Sequence, residues 1–118
     1  MAISSFNLNA SVAQIMDIWK SLAAESYSSW KLTDGAAELL SLLKQNDYRI
    51  GIATASPVSI VEAFFLNKTD VFKLIDEVVS CDDVGLSKPN PAVFLKCLEL
   101  LSKDKDESVI FEDSMSGL

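Results

Sequence analysis

Three short stretches of this chain hold residues whose types suit phosphate and metal chemistry. The first, "TAS", sets Thr54, the backbone N–H of Ala55 and Ser56 directly ahead of Pro57. Free N–H groups and the positive end of a helix dipole at such a junction form a cradle for an anion. The second, "GLSKPNP", holds Lys88 immediately before Pro89. A proline restricts the residue before it to extended backbone, so Lys88 is presented from a stiffened loop as a point charge for phosphate. The third, "VIFEDS", runs three apolar residues into Glu112 and Asp113. Hard oxygen ligands side by side suit Mg²⁺, which takes one or two protein carboxylates and keeps its other positions for water and phosphate. Each stretch also has a plain structural use: Ser56 as a helix cap, Lys88 as a solvated loop lysine, Asp113 as a cap for the residues after it. Residue type alone leaves both uses open.

Composition narrows the partners. The 118 residues carry 17 Asp and Glu against 10 Lys and Arg, a formal net charge of −7. That balance disfavours a nucleic-acid backbone and readily accommodates a cation. With 49% hydrophobic and 23% charged residues, the chain reads as one globular domain. It has no histidine, which excludes Ser-His and Cys-His nucleophilic catalysis and histidine metal sites. Cys81 and Cys97 form no CxxC motif and read as reduced thiols. The most apolar stretch, "IGIATASPVSIVEAFFL", carries Pro57 and Glu62 and does not read as a membrane span. "MAISSFNLNA" lacks both the basic and the apolar segment of a signal peptide. The expectation is a cytoplasmic protein with neither nucleic acid nor membrane as a partner.

The elements that must position these residues can be read from periodicity. Val12, Ile15, Met16, Trp19 and Leu22 recur at spacings of three and four, predicting an amphipathic helix over Ser11 to Tyr27. Asp34 is placed to cap a second helix, "GAAELLSLLKQN". "YRIGIATAS" is an apolar run of strand length, as in a parallel sheet covered on both faces. Ser56 and Pro57 then predict a helix start, "EVVSC" a second strand, and "SVIF" a third. Between those strands, Asn90 and Pro91 open a helix with Val93, Phe94, Cys97, Leu98 and Leu101 on one face. The order helix, helix, β-α-β-α-β argues for a doubly wound α/β domain with a parallel sheet. In such sheets ligands collect outside the C-terminal ends of the strands, where all three stretches fall.

A hydroxyl after one strand, a lysine before a proline-rich helix start and "FEDS" after another strand resemble motifs two, three and four of the haloacid dehalogenase-like hydrolases. The likeness runs from about Asp34 to Leu118 and extends through "DGAAELLSLLKQNDYRIGIATAS", "GLSKPNPAVFLK" and "VIFEDSMSGL". These stretches are similar to the subgroup of sugar-phosphate phosphatases and phosphoglucomutase-like enzymes. The acidic pair resembles the magnesium-dependent phosphatase branch rather than the metal-free dehalogenases. The resemblance implies a Rossmann-like three-layer α/β/α core over residues 31–118. Residues 1–30 would be the trailing helices of a helical cap. It further implies that Thr54 and the Ala55 N–H bind the transferring phosphoryl group, beside Ser56. Lys88 would be catalytic, neutralising phosphate and nucleophile. Asp113 would ligate Mg²⁺ directly, with Glu112 as a second ligand, direct or through water. The implied partner is a phosphorylated small molecule such as a sugar phosphate.

One part of the pattern is absent. The family's nucleophile is an aspartate in a DxDG(T/S)-like loop after an N-terminal strand. The only D-x-D here is Asp104-Lys105-Asp106, in a turn after a helix. The expectation is therefore an incomplete and inactive phosphatase core, an internal piece running from the cap's last helices to motif four. In the family's sheet the missing strand lies between those ending at Thr54 and Glu112. With neighbouring strands ~4.8 Å apart, its loss leaves a slot of about 10 Å or draws the flanking strands together. Unpaired edges of this kind invite a swapped dimer or a complementing chain. The alternative expectation is a non-catalytic phosphate-binding or interaction module that kept the sheet and lost the nucleophile.

Overall fold

The computed structural model describes residues 10–117. The first amphipathic segment forms α1 (Val12–Ser29), opened by a reciprocal capping box. Ser11 Oγ accepts the Gln14 N–H at 3.2 Å, and Gln14 Oε1 accepts the Ser11 N–H at 2.8 Å. The second segment forms α2 (Ala36–Gln45), but Asp34 does not cap it. The Ala36 N–H bonds back to the Thr33 carbonyl at 3.0 Å, and Gly35 takes the cap position at φ 81°. That turn uses the donor an Asp34 carboxylate would have served.

The rest of the chain runs β1 (Gly51–Thr54), α3 (Val58–Phe65), α4 (Thr69–Phe72), β2 (Glu77–Ser80), α5 (Cys81–Val84) and α6 (Ala92–Leu101). A 3-10 turn, Lys105–Glu107, comes next. β1 and β2 pair in parallel from Gly51 opposite Glu77 to Thr54 opposite Ser80. This is an α/β core with a parallel sheet and flanking helices, consistent with a Rossmann-like fold. Cys81 does not extend the second strand. Ser80 ends it by accepting the Asp82 N–H at 3.1 Å, while Asp83 Oδ2 accepts the Ser80 N–H at 2.7 Å.

The third expected strand does not form among the described residues. "SVIF" carries no ladder, and Val109, Ile110 and Phe111 are 80%, 55% and 78% exposed. A β-strand exists through its neighbours' hydrogen bonds, and here no neighbouring strand meets the segment. Strand propensity alone does not hold it.

The core lies between the sheet and α6. Val79, Cys81, Val93, Cys97 and Leu101 are buried together, with Ala53, Val84 and Phe94 packed against them. The expected helix face thus closes over the sheet. α6 approaches so near that a Cβ at Gly51 would run into Cys97 Sγ and come within 3.0 Å of Leu101 Cδ1. Burial, and then the charge of Glu77, pushes the Cys97 thiol pKa up, so it stays protonated. A second packing group stacks Phe65 on Phe72 with ring centroids 4.9 Å apart. α1 packs against α3, yet Val12, Met16, Trp19 and Leu22 on its apolar face are exposed. Of the segment assigned to a cap, residues 1–9 lie outside the described residues. Among the described residues, no helix is long and apolar enough to cross a membrane.

The two strands are pinned at their N-terminal ends by one carboxylate. Asp76 accepts from Lys44 Nζ at 2.8 Å and the Ile50 N–H at 2.7 Å, and forms an ion pair with Arg49 Nε at 3.1 Å. Its own N–H returns a bond to the Ile50 carbonyl at 2.8 Å. Burial raises the Asp76 pKa, but Lys44, the Ile50 N–H and Arg49 together outweigh it and hold the group below the usual aspartate range.

This packing can be tested at two residues. Gly51→Ala should destabilise the chain by about 1–3 kcal/mol through overpacking against α6, read as a lower urea midpoint with an unchanged slope. An unchanged midpoint would show that α6 is not seated on β1. Asp76→Asn should cost about 1–3 kcal/mol at neutral pH. Because the folded pKa is depressed, the carboxylate's contribution is present above its unfolded value of about 3.9 and disappears as pH falls through the folded value. Melting curves should therefore converge for parent and variant in strong acid, and a constant gap down to that range would remove Asp76 as the cause.

Candidate active site

Lys88 stands on the loop between α5 and α6. Gly85 ends α5 in the left-handed region at φ 66°, and the Asn90 N–H bonds to the Ser87 carbonyl at 3.1 Å. The Lys88–Pro89 peptide is cis. Asn90 Oδ1 accepts the Ala92 N–H at 3.0 Å, but Pro91 and not the expected Asn90 holds the cap position of α6. From this loop Lys88 Nζ lies 4.6 Å from the centre of the Phe94 ring, a cation–π contact.

The ammonium reaches Glu112 Oε2 at 2.6 Å, with both side chains only 10% exposed. The other oxygen, Oε1, accepts from Ser114 N–H at 3.0 Å and Ser114 Oγ at 2.6 Å. The Lys88 hydrogen bond, then the two Ser114 donors, outweigh desolvation and hold the Glu112 pKa down to about 2. Glu112 is therefore charged at any physiological pH. Asp113 is exposed and takes no part in these bonds. A groove of about 540 Å³ lies along Ile110, Phe111, Glu112 and Asp113.

Thr54, Ala55 and Ser56 sit at the C-terminal end of β1, as the sequence suggests. The helix beyond them begins differently. Pro57 holds the cap position of α3 without a side-chain cap, so Ser56 is not the N-cap. The Ser56 N–H is instead satisfied locally by Thr54 Oγ1 at 3.0 Å, which leaves the Thr54 O–H hydrogen to donate. The structure thus joins Lys88 directly to Glu112 and Thr54 directly to Ser56. No hydrogen bond or ion pair links the two groups among the described residues.

The donor set can be tested against a divalent cation. Among the described residues, no group of three or more His, Cys, Asp or Glu side chains is placed to hold a metal. Glu112 and Asp113 supply two carboxylates, the number Mg²⁺ commonly takes while water and phosphate complete its octahedron. The residue types suit a Mg²⁺ of that kind, but both Glu112 oxygens are engaged by Lys88 and Ser114 and Asp113 alone is open. Two contributors escaped the sequence reading. Ser114 stands two residues after Glu112, the spacing of a local side-chain turn, and that spacing was the available signal. Phe94 read only as core, and nothing in its spacing showed that its ring faces a lysine.

The haloacid dehalogenase-like hydrolase family model matches residues 10–118. The chain belongs to that family. Validoxylamine A 7'-phosphate phosphatase of Streptomyces hygroscopicus subsp. limoneus is 31% identical over 85 residues, covering 72% of this chain and 39% of that protein. Hexitol phosphatase B of Escherichia coli K12 is 33% identical over 87 residues, covering 74% of this chain and 39% of that protein. A HAD phosphatase from Thermococcus onnurineus superposes with a TM-score of 0.72 at 24% identity, over 97% of this chain and 49% of that one, which bears on the fold. This hydrolase chain thus spans about two fifths of the length of these curated relatives, ~39% of each. Its D-x-D sequence, Asp104 to Asp106, lies on exposed residues at the 3-10 turn after α6 and not after a strand.

The Lys88–Glu112 ion pair gives a direct expectation. Lys88→Met should raise the Glu112 pKa from about 2 part of the way toward the usual glutamate value of about 4.3, with Ser114 still holding it below that value. Carboxyl ¹³C titration reads this shift. An unmoved titration would show that Lys88 does not set the charge state of Glu112.

Proposed function

We propose that these residues form the phosphate- and metal-holding side of a magnesium-dependent phosphatase acting on phosphorylated small molecules of the sugar or polyol class. The observation that carries this reading is the part-buried contact of Lys88 with Glu112 beside the exposed Asp113. Thr54 would donate its hydroxyl hydrogen to the phosphoryl group, with the Ala55 N–H alongside, and Lys88 would neutralise it. Glu112 and Asp113 would hold Mg²⁺, which supplies charge neutralisation for the phosphate when bound. Positioning and charge stabilisation of this sort are most of what a protein contributes to phosphoryl transfer. The substrate class is supported by the relatives named for hexitol and validoxylamine 7'-phosphate substrates. In this reading α1 belongs to the cap side of the site, and the protein works in the cytoplasm.

The chemical step itself needs an aspartate that forms and then loses the phosphoryl bond, and no residue of the chain stands in that role. The 118 residues alone would therefore bind a phosphate ester without turning it over, unless a second chain supplies the nucleophile. With Mg²⁺ added, p-nitrophenyl phosphate should remain intact above the uncatalysed background. Adding a peptide that carries an aspartate loop should restore hydrolysis if the phosphate-holding side is competent. Steady turnover by the chain alone, abolished in Asp113→Asn, would refute its inactivity.

A further inference from the structure

We propose that Lys88 competes with the divalent cation for Glu112, so that phosphate binding and Mg²⁺ binding strengthen each other through the release of this one ion pair. The inference rests on the reading of Glu112 and Asp113 as metal ligands and concerns how that site is regulated.

The geometry defines the competition. Oε1 of Glu112 is occupied by both Ser114 donors, and Oε2 carries the Lys88 ammonium at 2.6 Å. Each of the Lys88 and Glu112 side chains is largely covered by its partner and its neighbours. A dication on Oε2 would stand beside the ammonium, and two positive charges at that separation repel. Charge repulsion therefore favours departure of the ammonium from Oε2 when Glu112 ligates. Without phosphate it has no equal anion to move to, and Asp113 alone offers the cation an open carboxylate. A phosphate group supplies that anion. The Phe94 ring, 4.6 Å from Nζ, lets the ammonium swing away without losing all of its stabilisation. Coupling of this type is reciprocal: what phosphate does for Mg²⁺ affinity, Mg²⁺ does for phosphate affinity.

The test is calorimetric titration of Mg²⁺ into the whole chain, with and without inorganic phosphate, for the parent, Lys88→Met, Lys88→Gln and Asp113→Asn. In the absence of phosphate, Mg²⁺ should bind about tenfold tighter to the two Lys88 variants than to the parent, and phosphate should tighten binding only in the parent. Equal or weaker Mg²⁺ binding by both Lys88 variants, with binding still dependent on Asp113, overturns the competition and leaves the metal site standing. Binding that is absent from every chain, or indifferent to Asp113→Asn, overturns the metal site itself. Should the Lys88 variants not fold, the side-chain ammonium ¹⁵N signal of Lys88 in the parent decides. It should move further when Mg²⁺ and inorganic phosphate are added together than with phosphate alone, and equal shifts overturn the competition.

Discussion

A two-stranded parallel sheet has little to hold it in register, and in this chain the Asp76 carboxylate does much of that work. It gathers two cations and the Ile50 N–H at the beginning of both strands, while its own N–H closes a bond to the Ile50 carbonyl. An isolated pair of strands is marginal in water, and parallel pairing is slightly weaker than antiparallel. With one end pinned, four residue pairs carry the register to Thr54 opposite Ser80. Everything placed at the far ends of the strands inherits its position from that clamp. The hydroxyl of Thr54 and the capped turn at Ser80 stand level because Asp76 fixes the origin of both.

How far the sequence discloses this arrangement varies by residue and for physical reasons. The α6 face was legible because helical spacing and burial are the same fact seen twice: Val93, Cys97 and Leu101 are buried where the period puts them. Lys88 and Glu112 could be picked out by residue type as candidates for charge chemistry, each with a plain structural use beside it. Their direct contact was not, because it depends on how two loops fold toward each other across 24 residues. The caps failed for a local reason. At Asp34 a backbone turn gave the Ala36 N–H to the Thr33 carbonyl, and at Ser56 the helix begins one residue later, with Pro57 in the cap position. "SVIF" failed for a nonlocal one, since its apolar residues describe what a strand would bury and not whether a partner strand is there.

The electrostatics of the site are as local as its turns. A chain with a net charge of −7 commits a nearly buried lysine to a single glutamate, and backs that glutamate with a serine's hydroxyl and amide. Glu112 is held ready and fully ionised, while Asp113 next to it remains open to solvent. Neighbours in sequence thus differ completely in how tightly they are engaged. One carboxylate of the pair is fully engaged and its neighbour is open.

The seat of α6 on β1 gives the fold a mechanical character. Cys97 and Leu101 rest against the bare backbone at Gly51, while Phe94, a turn toward the other end of the same helix, carries the Lys88 ammonium. The helix behaves as a lever with its fulcrum on a residue that has no side chain. Any bulk slipped under that fulcrum tilts the far arm, and the tilt is delivered to a charge whose partner is 2.6 Å away. The absence of a single methyl group at the foot of the sheet thereby gauges the aim of the lysine at its top.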